Sequence, residues 1–213
     1  HGASWDAYLH LKNSLEIELN SVTDNPIVID KNEVISGGNF HGQNLSLAGD
    51  ALALACHELA SISERRINHV MDPQWTGQNA FLANTEGFES GLMIVQYVAA
   101  ALISELHLLS NPVSISNVPV SLGKEDHVSM GATSTFRSMQ SSVLLAQVLA
   151  NEFVCSCEAL RRTELDAGLG VRATTVWVNS QVPALTSDRA MSKECMKLAQ
   201  ALLSGGLSET LGE

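Results

Sequence analysis

Long intervals without proline constrain this chain more than any other feature. Proline occurs only five times, at Pro26, Pro73, Pro112, Pro119 and Pro183. Each one removes a helix donor and crowds the preceding turn, so continuous helix is confined to the stretches between them. Those stretches carry apolar residues at helical spacing. Aromatic residues are only 5% of the chain although hydrophobic residues are 45%, so Leu, Ala, Val and Ile must fill the core. Ala and Leu favour helix intrinsically. The expected class is therefore all-α, with long antiparallel helices forming a bundle. The 213 residues suffice for a single helical domain, 1–213, with a substantial core.

Residues 4–19 read as a first helix, with Trp5, Tyr8, Leu9, Leu15 and Leu19 as its apolar contribution. Thr23-Asp24-Asn25-Pro26 ends it, since these residues favour turns and proline biases Asn25 away from helix. Ile27-Val28-Ile29 is a short extended piece that can pair with Val34-Ile35, and Ser36-Gly37-Gly38-Asn39 breaks the chain again. Residues 43–71 form a long helical pattern, in which Leu45, Ala48, Leu52, Ala55, Leu59 and Ile62 make a narrow seam for a neighbouring helix. Asp50, Glu58, Glu64 and Arg65 lie off that seam, and Asp72-Pro73 stops the helix.

Residues 74–87 read as a loop and 90–109 as a second helix, almost wholly apolar over 92–109. Its Gln96, Glu105 and His107 are costly in lipid, so burial among other helices accounts for it better than a membrane span. Residues 110–124 hold two prolines and read as an irregular connector. A third long helix is expected over 127–162, with Glu125 and Asp126 at its start, where the helix dipole favours negative charge. Residues 167–170 break the pattern and 173–182 read as strand or loop. Ser187 is placed to cap a final helix ending near Leu203, with Asp188 in its first turn.

The third long helix would reach ~50 Å, well beyond the roughly 34 Å diameter of a compact domain of this size. Such a helix needs neighbours along its whole length, which predicts a homo-oligomer with helices bundled between subunits. Lys and Arg number 12 against 23 Asp and Glu, a net charge of -11, which argues against nucleic-acid and membrane-surface partners. Cys56, Cys155, Cys157 and Cys195 form no C-x-x-C pair and read as reduced, partly buried thiols of a cytoplasmic protein. There is no G-x-S-x-G elbow, no glycine-rich phosphate loop and no histidine spacing for a metal. His57-Glu58 begins a zinc-protease pattern, but Ser61 stands where the second histidine is required.

Specific chemistry enters through short strings in order along the chain. Ser36-Gly37-Gly38-Asn39-Phe40-His41-Gly42 opens the first long helix, and Lys124-Glu125-Asp126-His127-Val128-Ser129-Met130-Gly131 opens the third. With Thr23-Asp24-Asn25-Pro26, Ser63-Glu64-Arg65-Arg66-Ile67 and the run from Ser90 to Gln96 followed by Ala99-Ala100-Ala101-Leu102, they resemble the histidine-specific branch of the aromatic amino acid lyase family. The resemblance covers essentially the whole chain.

The resemblance implies a fumarase/aspartase-like helical core in a homotetramer whose active sites draw on more than one subunit. It implies the elimination of ammonia from L-histidine to give urocanate, in histidine catabolism. The family electrophile, 4-methylidene-imidazol-5-one, arises by cyclisation of an internal Ala-Ser-Gly, and this chain contains no such tripeptide. The chain also opens on His1 rather than Met, so it is expected to be the C-terminal half of the enzyme, partnered by an N-terminal half that carries the cofactor.

By motif match, Glu125 faces the substrate imidazole as the catalytic and hydrogen-bonding carboxylate, Phe40 packs near electrophile and substrate, and His41 is a further substrate-binding candidate. From the residues alone, Phe40 also reads as a hydrophobic staple at a helix start, Glu125 as an acid at a helix start, and His41 and His127 as backbone-bonding histidines. Lys124 is placed to pair with Glu125 and lower its pKa. Two other functions compete with the first: a tyrosine or phenylalanine ammonia-lyase or aminomutase, and a helical assembly domain inactive by itself. Glu125 favours the histidine reading, because a carboxylate suits imidazole better than a phenyl ring.

Overall fold

A computed structural model describes residues 1–164 and 166–212. The chain is all-α: helix makes up 64% of it and strand 3%. The helices are α1 (Gly2–Leu19), α2 (Gln43–Met71), α3 (Pro73–Thr76), α4 (Met93–Leu109), α5 (Gly131–Leu160), α6 (Leu169–Gln181), α7 (Ser192–Leu203) and α8 (Gly206–Leu211). The expected extended pieces are β1 (Ile27–Val28) and β2 (Val34–Ile35), antiparallel with Ile27 opposite Ile35. α2 starts and ends where the sequence pattern places it, stopped by Asp72, whose carboxylate accepts from the Gln74 N–H in the first turn of α3.

Two compact units divide the chain. One comprises His1–Leu59 and Leu106–Ser142, the other Ala60–Glu105 and Val143–Glu213, so α2, α4 and α5 contribute to both. The first unit buries few large side chains. Its stripe on α2 runs through Ser46, Gly49, Ala53 and Cys56, one position later than the expected leucine seam. Leu52 and Leu59 are only half-buried, and Leu47 and Leu54 are exposed. The reason is close helix approach. A Cβ on Gly49 would meet the Ser134 Oγ at 2.6 Å, and the Ser134 hydroxyl donates to the Ser46 carbonyl at 2.6 Å. Asp50 is buried rather than off the packed face. Its carboxylate accepts the Val113 N–H at 3.0 Å and the Ser114 N–H at 2.9 Å, which ties down the proline-containing connector. Burial pushes this carboxyl up, but the Ser114 N–H and hydroxyl, the Ser134 hydroxyl and the Val113 N–H outweigh it, and the net direction is down.

The second unit holds a contiguous apolar cluster that includes Ile67, Leu82, Leu92, Val95, Val178 and Leu198. Charged networks lie along it. Glu152 accepts from the Ser63 hydroxyl and the Arg66 guanidinium. Glu158 is held by Arg161, Arg162 and the Leu185 N–H. Glu64, like Asp50, is buried rather than off the packed face, with Arg65 as its ion partner.

Partner positions set the helix directions. Within the first unit Asp50 meets Val113 and His57 meets His107, so α4 runs antiparallel to α2 there. Within the same unit Ser46 meets Ser134 and Cys56 meets Ser142, so α5 runs parallel to α2 there.

Several expectations are corrected. The third long helix begins at Gly131, not residue 127, because Met130 takes a left-handed φ of 56°. Glu125 and Asp126 therefore lie outside its first turn. Residues 173–181 are helical within α6, with Val182 extended just beyond its end, because Thr174, Thr175 and Val178 share a burial face at helical rather than alternating spacing. The last expected helix is α7, which starts at Ser192 rather than Ser187. Asp188 serves another helix instead, accepting the Ser90 N–H at 2.8 Å and the Gly91 N–H at 2.9 Å just before α4. Only one face of α4 is buried (Val95, Ala99 and Leu106), while Ile94, Tyr97, Val98 and Leu108 are exposed. By length and composition α2 and α5 are apolar enough to cross a membrane, but they bury Asp50, Glu64 and Glu158 and pack as core helices. The four cysteines are free thiols, three of them buried.

Candidate functional site

The two motif strings that open α2 and α5 meet inside the first unit. Gly42 turns the chain at a positive φ of 64° just before α2, and Met130 does the same just before α5. A left-handed residue at each of these points brings a loop sharply into a helix, a conformation that costs a non-glycine residue such as Met130 of order 1 kcal/mol and needs surrounding support. That support is a chain of serine hydroxyls. Ser129 Oγ donates to the His41 carbonyl at 2.5 Å and accepts the Gly131 N–H at 3.2 Å. Ser46 Oγ donates to the Ser129 carbonyl at 2.5 Å. A Cβ on Gly131 would come within 3.3 Å of the Gly42 carbonyl, so the N-terminal ends of α2 and α5 are nearly in backbone contact.

Three rings line this junction. Phe40 lies against His41 with centroids 4.3 Å apart and planes tilted by 39°. His41 meets His127 edge-on, 4.9 Å apart at 85°. His127 Nε2 is 2.7 Å from the Gln43 Oε1. Phe40 remains 40% exposed, so its free face is open to whatever packs there and it does not act as a covered staple. Neither histidine ring bonds backbone among the described residues: His41 is held only through its own carbonyl, which accepts from the Ser129 hydroxyl, and the His127 ring bonds the Gln43 side chain.

Glu125 sits two residues before His127 on a tight hairpin. Val120 and Glu125 form an antiparallel bridge, with Val120 N–H donating to the Glu125 carbonyl at 2.9 Å and Glu125 N–H to the Val120 carbonyl at 3.3 Å. Ser121 and Leu122 turn the hairpin at positive φ. Asn117 braces its exit, accepting the Val128 N–H and donating to the Asp126 carbonyl. The backbone of Glu125 is thus fixed while its carboxylate is exposed. The expected pairing with Lys124 does not form: no ion pair joins the two among the described residues, and both are exposed, where such a pair gains little against water.

Sequence reasoning picked out Phe40, His41, Glu125 and His127, and it missed Gln43, Ser46, Asn117 and Ser129, which hold them. A signal for the serines existed in the small residues Ser46, Gly49, Ala53 and Cys56, which repeat at helical spacing beside the leucine seam. The second unit contains a cavity of about 700 Å³ whose lining includes the apolar Ile94, Val98, Leu102 and Met196 and the charged Asp188 and Arg189, and it holds none of the predicted residues.

The chain is similar to known proteins over nearly its whole length. Residues 1–179 match the model of the aromatic amino acid lyase family. Histidine ammonia-lyase of Deinococcus radiodurans is 44% identical over 208 residues, which are 97% of this chain and 40% of that protein. The Myxococcus xanthus histidine ammonia-lyase is 42% identical over 97% of this chain and 41% of its own length. Among solved structures, histidine ammonia-lyase from Trypanosoma cruzi superposes with a TM-score of 0.93 at 33% identity, covering all of this chain and 42% of that one. Tyrosine aminomutase from Streptomyces globisporus gives 0.93 at 32%, covering 99% of this chain and 41% of its own. The chain spans about two-fifths of the length of the relatives it matches. An electronegative, all-helical chain whose two motif-bearing helix starts are pinned together is, on these grounds, a member of the aromatic amino acid lyase family.

Proposed function

We propose that this chain is the C-terminal helical part of a histidine ammonia-lyase, which eliminates ammonia from L-histidine to give urocanate. The observation that carries the reading is the exposed Glu125 carboxylate on a braced hairpin that leads within two residues into His127, whose ring meets His41 beside the open Phe40. The similarity to histidine ammonia-lyases at 42–44% identity supports the same substrate.

In the elimination a Cβ–H bond and the Cα–N bond break, a carbon–carbon double bond forms, and ammonia leaves. Glu125 accepts a hydrogen bond from the substrate imidazole and orients the ring, or exchanges a proton with it. Phe40 offers a flat apolar surface against a planar ring, and His41 lies beside it as a further substrate contact. The family's 4-methylidene-imidazol-5-one supplies an electron-poor carbon that turns the amine into a better leaving group. No Ala-Ser-Gly occurs in this sequence, so that group would come from polypeptide outside it, and the exposed Phe40 face is the part of this chain that fits against it.

The assembled enzyme is a homotetramer of complete chains, each with the electrophile-bearing N-terminal half, acting in the cytoplasm on histidine catabolism. Exposed apolar faces support the assembly. α1 has no buried residue and exposes Trp5, while Leu47, Leu54, Tyr97, Phe136 and Met139 stand uncovered on other helices. This chain forms one domain of that enzyme.

The test is an assay of the complete protein for urocanate absorbance against cinnamate or coumarate. Urocanate is expected. Cinnamate or coumarate alone would move the chain to the tyrosine or phenylalanine lyases and aminomutases, whose solved structures it also resembles. The 213-residue chain alone is expected to leave histidine unchanged. Glu125→Ala in the complete protein should lower turnover by at least ~100-fold with the tetramer intact. An unchanged rate would remove Glu125 from the site.

A further inference from the structure

We infer that Gln43 is a positioning residue for this site, acting through the His127 ring; the inference rests on the functional reading above. Gln43 is the first residue of α2, and its amide oxygen lies 2.7 Å from His127 Nε2. An amide oxygen only accepts, so Nε2 carries the hydrogen, and this partner fixes the face and tautomer that the ring presents. No other hydrogen bond to the His127 side chain is made among the described residues.

The backbone on both sides of the ring is already held. Ser129 binds the His41 carbonyl and Asn117 binds the Val128 N–H. What those bonds leave free is rotation of the His127 side chain. Gln43 removes that freedom, and the consequence passes along the rings. His127 stands edge-on to His41 at 4.9 Å, and His41 backs Phe40 at 4.3 Å. Phe40 is 40% exposed, so its orientation depends on the few groups that back it. With the Gln43 acceptor in place, the Phe40 face and the Glu125 hairpin are presented in one mutual geometry. Without it, the His127 ring turns, the backing of His41 and Phe40 loosens, and the ring-binding surface loses its fixed angle. A displacement of this kind, on the scale of an ångström, costs up to ~100-fold in rate.

The experiment uses the complete protein and two variants of equal reach. Gln43→Glu keeps an oxygen acceptor at the same distance. Gln43→Met keeps the length and removes the strong acceptor. For Gln43→Met, kcat is expected to fall by about tenfold to 100-fold while KM changes less than about threefold. Gln43→Glu is expected to recover kcat to within about threefold of wild type, and both variants are expected to melt within about 3 °C of it. A role confined to starting the helix would move the melting temperature and leave kcat untouched. A wild-type kcat for Gln43→Met, or equal losses in both variants, would overturn the inference.

A crystal structure of the Gln43→Met protein gives a readout independent of activity. The His127 ring is expected to have left its edge-on contact with His41, and a retained contact would sink the proposal. If the wild-type protein makes cinnamate or coumarate instead of urocanate, the substrate assignment fails. The contrast between the two variants, read on that product, still decides the role of Gln43.

Discussion

The two compact units of this chain are held together by different means. In the unit made of residues 1–59 and 106–142, the buried side chains are mostly small or polar: Ser46, Ala48, Asp50, Ala53, Ser110, Ser129, Ser134, Ser138 and Ser141, with Leu106 the only large aliphatic side chain among the described residues. In the unit made of 60–105 and 143–213, Ile67, Leu82, Leu92, Val148, Val178 and Leu198 are fully buried, and arginine–carboxylate groups border them. The second unit follows the usual logic of apolar burial. The first relies on close helix approach and on serine hydroxyls donating to carbonyls, each worth about 1 kcal/mol. The first unit is also where the predicted site residues lie. A site that must fix loop geometry gains more from directional hydrogen bonds than from a deformable apolar cluster.

The largest expected effect lies in the second unit. Glu158 has a side chain 8% exposed and binds Arg161, Arg162 and the Leu185 N–H. Glu158→Ala would leave Arg161 and Arg162 without their carboxylate and the Leu185 N–H without its acceptor, and a loss of about 3–5 kcal/mol is expected by urea denaturation of the complete protein. Burial raises this carboxyl's pKa, but the Leu185 N–H, Arg162 and Arg161 outweigh it, so the folded value lies below the ordinary 4.5. The sign follows. Its contribution is complete above the unfolded value and is lost as pH falls through the folded value. Glu158→Gln should therefore flatten the acid side of the stability profile. A profile unchanged from wild type would show that the charge does not hold this region.

Leu198→Ala in the same unit should cost about 2–5 kcal/mol by cavity formation, measured in the same way. A loss well under 1 kcal/mol would mean that this cluster collapses around the gap and is less tightly packed than its burial suggests. Gly49→Ala in the first unit should cost about 1–3 kcal/mol, although alanine is the better helix former, because its Cβ would meet Ser134 and the backbone of Thr135. This substitution probes the contrast directly. Stabilisation instead of loss would show that the first unit does not depend on close approach. Ser46→Ala should cost about 1–2 kcal/mol, since it leaves the buried Ser129 carbonyl without its donor. The smallest effect is expected for Lys124→Gln. Lys124 makes no ion pair among the described residues, so the melting curve should move by less than about 0.5 kcal/mol.

Much of the helical plan was legible from sequence. Asp72-Pro73 and Asn25-Pro26 stop helices for reasons that act within a few residues, and α2 consequently ends where its pattern predicts. The burial of α2 was less legible. Leucines at 45, 52 and 59 announce an apolar face, but the face buried in this chain is the small-residue stripe beside it. Hydropathy records what a side chain gains by leaving water and says nothing of how near a second backbone comes. The same limit explains α6, whose β-branched residues hid a helix that packs through Val178. It explains Asp188 as well, read as a cap for its own helix and found serving α4.

By itself the sequence determined what depends on local chemistry: the all-helical class, most helix stops, and the two strings that name Phe40, His41, Glu125 and His127. Tertiary structure alone decided that those strings meet, that Gly42 and Met130 bend the starts of α2 and α5 toward one another, and that Gln43 and Ser129 pin them. Residues 84 and 88 positions apart become hydrogen-bond partners only once the helices between them have chosen their directions and their distance. That choice is made by packing over the whole length of α2 and α5, and no short window of sequence contains it.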